Sequence, residues 1–201
     1  MKRLSSHPDD RADDRFPLPP WLGPPQDELG VPVALQGSLV RTSSLVIALS
    51  SATAFTTGCA FDLVWSARRD DQDDETWAER LDLLAQGPWM VRRSSARGHG
   101  LRFGIHLADA RKVTTATFSA FGNTDISTPP RDAVLLDLSG PGSGAEDAWS
   151  QQVRLWLWPL PPPGDMELLC TWPEADIAQE HISLDADALL VAAASVWPLW
   201  P

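Results

Sequence analysis

Arginine and tryptophan side chains are the chemical groups that the sequence concentrates most clearly. Residues 154–173 hold three tryptophans and five prolines, and Arg154, Trp156 and Trp158 alternate within them. A β-strand would place these three side chains on one face, because successive residues point to opposite faces. Tryptophan and arginine are favoured anchors at protein interfaces. We therefore predict a binding surface formed by Arg154, Trp156 and Trp158, with Trp21 as a fourth member.

A second interpretation of the same residues is that another part of the chain covers the indoles. The C-terminal helix, residues 17–25 and the terminal residues 197–201 could each provide that cover. A buried indole contributes a large apolar surface, and its N–H still needs a hydrogen-bond partner. An exposed aromatic stripe would be too large for a monomer to leave without a partner. We expect Trp172 in the core, and Trp156 and Trp158 either covered or at an interface.

The residues that usually form catalytic or metal sites do not occur in recognisable patterns. The four histidines and two cysteines lack the close spacing of a zinc site. Ser143 lies between glycines without the G-x-S-x-G sequence that places a nucleophile at a strand-to-helix turn. The acidic run 70–75 lacks the regular alternation of a calcium-binding loop. The sequence thus predicts no catalytic residue, no metal site and no cofactor, although the fold could still bring two carboxylates together as in a hydrolase.

The chain carries a formal net charge of −11, and its charges are unevenly distributed. No lysine or arginine follows Arg154, whereas residues 92–112 carry six basic residues against Asp109 alone. These two segments could lie together and compensate each other, or one of them could meet a charged partner. A polyanion is attracted by a basic surface, so the overall acidity makes nucleic-acid binding an unfavourable hypothesis. We predict another protein or self-association as the partner, with a small-molecule ligand as the alternative.

The composition predicts a cytoplasmic protein that does not contact a membrane. The sequence contains no run of about 18 apolar residues, the length that a membrane-spanning helix requires. The polar residues that follow Met1, Lys2 and Arg3 lack the apolar segment of a secretory signal. In a reducing cytoplasm Cys59 and Cys170 should be free and buried, whereas an exported protein could join them in a disulfide.

The elements that must position these groups are mostly strands, because apolar residues recur at every second position from residue 31 onward. Short strands at this spacing are typical of a mainly β fold, an antiparallel β-sandwich of immunoglobulin-like or jelly-roll-like type. The predicted strands include 55–65, 101–107, 133–138, and a hairpin made of 152–158 and 166–172.

Two helices are predicted, one inserted between strands and one near the C-terminus. The first, over 73–86, begins with carboxylates, which favour the positive end of a helix. The second begins after Asp185, a good capping residue, and continues to Ser195.

The chain is predicted to hold one β-sandwich domain over 31–201, preceded by an arm over 1–30. The first fifteen residues are polar and offer too little apolar surface to offset the entropy of ordering, so we expect disorder there. Residues 17–25 are rich in proline and should be extended, and Trp21 and Leu22 could attach them to the domain.

Seven short motifs stand out along the chain, at residues 19–25, 27–30, 101–104, 109–112, 156–164, 170–174 and 199–201. Together they resemble those of a family of short actinobacterial proteins of unknown function, and the resemblance extends over nearly the whole chain from about residue 17. It implies no activity and assigns no functional residue.

We conclude from the sequence that the chain is a non-catalytic cytoplasmic protein-interaction module. It would bind through an aromatic and acidic surface or through its proline-rich arm. The alternatives are a tryptophan-lined module that binds a carbohydrate or another small molecule, and a hydrolase whose carboxylates are assembled by the fold.

Overall fold

A computed structural model of the chain describes residues 18–85, 100–116 and 127–200. These residues contain thirteen β-strands, two α-helices and one short 3-10 helix. The strands are β1 (Glu28–Leu29), β2 (Val31–Val33), β3 (Gly37–Arg41), β4 (Leu45–Ala54), β5 (Cys59–Arg68), β6 (Arg102–His106), β7 (Lys112–Ala116), β8 (Val134–Asp137), β9 (Ser143–Ala145), β10 (Ala148–Trp158), β11 (Asp165–Trp172), β12 (Ile177–Asp185) and β13 (Trp197–Pro198). The helices are α1 (Asp74–Ala85), the 3-10 helix Pro173–Ala175, and α2 (Ala186–Ala193).

Eleven of these strands form one curled sheet, and β1 and β13 form a separate two-stranded ribbon. The order across the large sheet is β12-β11-β6-β7-β8-β10-β5-β4-β2, with β3 also paired to β4 and β9 to β10. The pair β7–β8 is parallel, and the other pairs are antiparallel. Gly37 of β3 lies close to the Ile182 side chain of β12, so the two ends of the curled sheet approach each other. The predicted mainly β, mostly antiparallel, sandwich-like fold is confirmed.

The core consists of the side chains that alternate inward along the strands. In β5, the side chains of Phe61, Leu63 and Trp65 are fully buried, as the period of two predicts. Trp65 makes edge-to-face contacts with Trp149 and Trp172, at ring-centroid distances of 4.4 and 5.1 Å. Trp172 therefore belongs to the core, which confirms its predicted position.

Both predicted helices are present, and each follows a capping carboxylate. The Asp73 carboxylate accepts a hydrogen bond from the Thr76 backbone N–H at 2.8 Å, and this bond lowers the pKa of Asp73. Asp185 accepts a bond from the Asp187 N–H at 2.8 Å and caps α2. Trp77 anchors α1 on the core and is buried. Among the described residues, no helix is both long and apolar enough to cross a membrane.

The predicted hairpin of strands 152–158 and 166–172 is wrong, although both strands exist. β10 pairs with β5, β8 and β9, whereas β11 pairs with β6 and β12. The connection between them contains four prolines in residues 159–164. Proline cannot donate a ladder hydrogen bond and is found at strand ends and edges. The chain therefore leaves β10 and starts β11 at another place in the same sheet.

The described part of the predicted arm packs on the sheet. Trp21 and Leu22 are buried, and β1 pairs with β13 near the end of the chain. Residues 18–30 are thus attached to the domain that was predicted to begin at residue 31, as the anchoring role of Trp21 and Leu22 anticipated. The disorder predicted for the first fifteen residues falls outside the described part of the chain.

Candidate functional site

Three of the four predicted binding residues, Arg154, Trp156 and Trp158, lie along one face of β10, and β5 is a neighbouring strand. In their register Arg154 is opposite Asp62, and Trp156 is opposite Ala60. Cross-strand neighbours share a face, and this face points away from the core residues Phe61 and Trp65. We call it the outer face.

Trp156 is covered by the segment that contains Trp21, which is one of the three covers expected from the sequence. Its indole N–H donates to the Pro20 carbonyl oxygen at 3.0 Å, and the exposed fractions of Trp21 and Trp156 are 1% and 0%. Phe55 packs on Trp156 edge to face, at a ring-centroid distance of 5.7 Å. The resulting covered cluster comprises Trp21, Leu22, Ala60, Val134, Leu136 and Trp156.

The covered cluster changes how the predicted site residues are placed. Trp21 and Trp156 belong to the same buried cluster and are closed to solvent. An exposed stripe made of both indoles is therefore not present. Trp158 is partly buried and packs against the same cluster. Only the Arg154 side chain is exposed among the four.

Arg154 is already paired with a carboxylate of its own chain. Its Nε donates to Asp62 Oδ1 at 2.8 Å, and its Nη2 donates to Asp62 Oδ2 at 3.1 Å. A two-point contact of this kind fixes the plane of the guanidinium. Arg154 therefore contributes to the outer face as half of an ion pair, and not as an isolated positive charge.

The largest exposed apolar side chains lie elsewhere, on a surface that the sequence analysis did not assign to binding. In the β1–β13 ribbon Leu29 is directly opposite Trp197. The exposed fractions are 61% for Leu29, 72% for Trp197, 46% for Leu199 and 72% for Trp200. We call this surface, formed by Leu29, Trp197, Leu199 and Trp200, the terminal ribbon. The terminal tryptophans had been considered as a cover for other indoles, and instead they are exposed.

Hydrogen bonds hold the terminal ribbon in place. The Leu199 N–H donates to the Asp27 carbonyl oxygen at 2.7 Å. The Glu28 carboxylate accepts the Thr56 backbone N–H at 3.0 Å and also the Thr56 hydroxyl. Thr56 belongs to the turn between β4 and β5, so Glu28 ties the ribbon to the large sheet. The apolar side chains are therefore displayed on a backbone that is held in place, and two acidic residues, Asp27 and Glu28, directly precede Leu29 in the chain.

The described part of the basic segment lies next to the acidic one in the sheet. Among the described residues, the contacts between them involve a histidine and a backbone N–H and no arginine or lysine, so the expected charge compensation stays a prediction. β6 pairs with β11, and His106 Nδ1 is 3.2 Å from Glu167 Oε2 across that pair. The Gly100 N–H donates to the Glu174 carboxylate. Arg92, Arg93 and Arg97 of the basic segment lie outside the described residues.

Cys59 and Cys170 are buried and unpaired in the structure. Burial raises the pKa of Cys59. Burial, with a smaller contribution from the Glu180 charge, raises the pKa of Cys170 to about 12. Because the thiolate is the reactive form, both cysteines are inert core residues at neutral pH. In the described part of the chain, no three histidine, cysteine or acidic side chains are grouped so that they could hold a metal ion.

None of the protein-family models, curated proteins or solved structures compared with this chain matches it. The function must therefore be argued from the surfaces themselves. The sequence could have pointed to the terminal ribbon, since its last residues, 197–201, alternate tryptophan and leucine with proline in a short segment.

Proposed function

We propose that the protein is a non-catalytic protein-interaction module, and that its contact surface is the terminal ribbon. The observation that supports this proposal is the exposure of Leu29 and Trp197, which are cross-strand partners, together with the exposure of Leu199 and Trp200, which directly follow β13. The ribbon that carries them is tied to the large sheet by Glu28. Contiguous exposed apolar surface marks interaction sites, and tryptophan is among the strongest interface anchors. The buried, unpaired cysteines fit a reducing compartment such as the cytoplasm.

The charge around the ribbon specifies the partner that it fits. Asp27 and Glu28 lie on the ribbon itself, and the chain after Arg154 contains acidic residues but no lysine or arginine. A second copy of this surface would bring like charges together, which opposes association. A segment of another protein that combines apolar side chains with lysine or arginine would complement both the indoles and the carboxylates.

A pair of synthetic peptides tests this proposal directly. One peptide combines leucine with lysine and the other replaces each lysine by glutamate, so that both have the same apolar content. We expect the basic peptide to change the fluorescence of the exposed indoles and to bind less tightly at high salt, because salt screens surface charges. We expect the acidic peptide to bind at least tenfold more weakly.

Matched variants assign the binding to the ribbon. The double variant Trp197→Ala/Trp200→Ala should weaken binding of the basic peptide at least tenfold and leave the melting temperature nearly unchanged. Val191→Ala is the control, because Val191 is an equally exposed apolar residue on α2 outside the ribbon. Equal binding by the double variant and the control, or equal binding of both peptides, would overturn the proposal. If the unchanged protein forms a dimer in analytical ultracentrifugation and the double variant does not, the partner of the ribbon is a second copy of this chain and not a basic segment.

The natural partner can then be identified by affinity capture from the native cell and mass spectrometry, with the same double variant as the negative control. A captured protein supports the proposal only if its purified form binds directly and loses binding when its own lysines or arginines are replaced. The alternative of a tryptophan-lined ligand module is less well supported, because Trp21 and Trp156 are packed together and closed to solvent.

A further inference from the structure

The open end of the outer face carries a second surface feature, a groove of about 550 Å3 across the ends of five strands. Its floor is a row of cross-strand neighbours on β3, β4, β5, β10 and β9. The register places these residues opposite one another in the order Arg41, Val46, Ser66, Ser150 and Ser143. We call it the serine groove. The row lies on one face of the sheet, because directly paired residues share a face.

The next row on the same face adds a second arginine. Arg68 is opposite Ala148, and Ala148 is opposite Ala145. Strands lie about 4.8 Å apart and the next row lies about 6.7 Å further along, so the backbone positions that carry Arg41 and Arg68 are roughly 12 Å apart. Two long side chains at that separation can reach a group that sits between them.

The serine groove has a charge opposite to that of the whole chain. Among the described residues that line it, Arg41 and Arg68 are cationic and none is an aspartate or glutamate. The chain as a whole carries −11. Hydroxyl groups surround the two cations, on Thr42, Ser43, Ser44, Ser66, Ser143 and Ser150. The lining of the groove is thus cationic on an acidic chain, and the carboxylates of Glu146 and Asp147 border it in the turn between Ala145 and Ala148.

One of the two guanidiniums is held in place by the turn between β3 and β4. Arg68 Nε donates to the Ser43 carbonyl oxygen at 2.6 Å, which leaves both Nη groups for a ligand. The Ser43 hydroxyl donates to Asp70 Oδ2 at 2.9 Å. Asp70 itself does not line the groove, and its carboxylate fixes the Ser43 side chain from outside it.

We propose that the serine groove binds a phosphate monoester. A phosphate monoester carries close to two negative charges at neutral pH, which matches two arginines. The planar guanidinium makes paired hydrogen bonds to phosphate oxygens, and the hydroxyls of Ser66, Ser143 and Ser150 donate to the remaining oxygens. The apolar lining at Val46, Ala145 and Ala148 suits an organic group attached to the phosphate.

A nuclear magnetic resonance titration of the full chain tests this proposal with inorganic phosphate and phenyl phosphate at constant ionic strength. Amide signals of residues 43–46, 66–68 and 143–150 should shift, and phenyl phosphate should bind more tightly than inorganic phosphate. Binding of phenyl phosphate should weaken as the pH falls from 7.5 to 5, because the second pKa of a phosphate monoester is about 6.

Charge-matched variants separate the groove from general attraction. Arg41→Gln/Arg68→Gln should weaken binding of phenyl phosphate at least tenfold, whereas Arg102→Gln/Arg131→Gln removes the same charge from exposed positions outside the groove and should change it less than twofold. Arg41→Gln alone should give an intermediate loss, and it leaves the Arg68 bond to the turn intact. Equal losses in the two double variants, or equal shifts with sodium chloride, would overturn the proposal.

The source of the phosphate is decided with vesicles that contain phosphatidic acid, which presents a phosphate monoester on a lipid. Sedimentation with these vesicles that requires Arg41 and Arg68 would assign the groove to a membrane headgroup. Binding of phenyl phosphate without such sedimentation would assign it to a soluble phosphorylated molecule.

Discussion

The two ends of the outer face differ although they belong to the same pair of strands. At one end Trp156 is opposite Ala60, and at the other end Ser150 is opposite Ser66. The two positions on β10 are about 20 Å apart at the rise of an extended chain. The first end is buried under Trp21, whereas the second is open and forms the serine groove.

This difference indicates that side-chain size and polarity determine where a segment of the chain packs over the sheet. Ordering an extended segment costs backbone entropy, and burial of two indoles offsets that cost at the Trp156 end. Burial of the small hydroxyl side chains at the Ser150 end would contribute little stabilising free energy, and their hydroxyl groups would lose their hydration. The same strands can therefore present a second core on one half and a ligand surface on the other.

The largest effect on stability is expected when the Trp156 indole is removed from the covered end. Trp156→Ala should destabilise the protein by about 3–5 kcal/mol, since the side chain is fully buried. Denaturant unfolding followed by circular dichroism measures the change. Trp197→Ala is the control, because a highly exposed side chain should contribute within about 0.5 kcal/mol. A small change for Trp156→Ala would contradict the assignment of a second core.

Removal of the covering indole should have a similar or slightly smaller effect. Trp21→Ala should cost about 3 kcal/mol, and it should expose Trp156 to a water-soluble fluorescence quencher. A double-mutant cycle with Trp156→Ala should give a coupling of about 0.5–3 kcal/mol, because the two residues belong to one buried cluster. Deletion of residues 1–15 serves as the comparison and should cost little stability. Strict additivity of the two tryptophan changes would show that they act independently.

A smaller effect is expected at the turn beneath the covered cluster. A Cβ on Gly58 would lie 2.4 Å from the Leu157 carbonyl oxygen and 2.7 Å from the Trp156 ring. Gly58→Ala should therefore destabilise the protein by about 1–3 kcal/mol through overpacking. Gly140→Ala is the matched control, because a Cβ there meets no atom within 4 Å. Thermal unfolding of both variants would reveal whether the ring is as close as the structure places it.

The smallest effect is expected between the two ends, at the ion pair of Arg154 and Asp62. Arg154→Ala should cost about 0.2–1 kcal/mol, because an exposed ion pair contributes little. A double-mutant cycle with Asp62→Ala at low and at high salt measures the pair itself, and its coupling should shrink as salt increases. A coupling that is large and independent of salt would place the pair in the covered region.

The sequence predicted the parts of the fold that depend on nearby residues. The alternation over 55–65 identified β5 and its buried face, although residues 55–58 belong to the turn that precedes this strand. The carboxylates at the start of each predicted helix identified where it begins. The same local pattern gave the wrong partner for β10, because proximity in the sequence suggested β11. Strand pairing depends on which apolar faces fit together across the whole chain. The period-two pattern of one strand does not specify which strand will be its partner.

The candidate sites were predictable only in part for the same reason. The spacing of Arg154, Trp156 and Trp158 correctly predicted that Arg154 and Trp156 share one face. It did not predict that Arg154 is exposed whereas Trp156 is buried. Nothing near Ser66 or Arg68 in the sequence distinguishes them from ordinary surface residues of a strand.

The sequence by itself determined the alternation of inward and outward side chains, the helix starts and the position of Trp172 in the core, because each follows from residues within a few positions of one another. The tertiary structure alone decided that Pro20 accepts the Trp156 indole, that Leu29 meets Trp197, and that two arginines share a groove. These contacts join residues far apart along the chain, and their formation depends on the shape of the folded sheet.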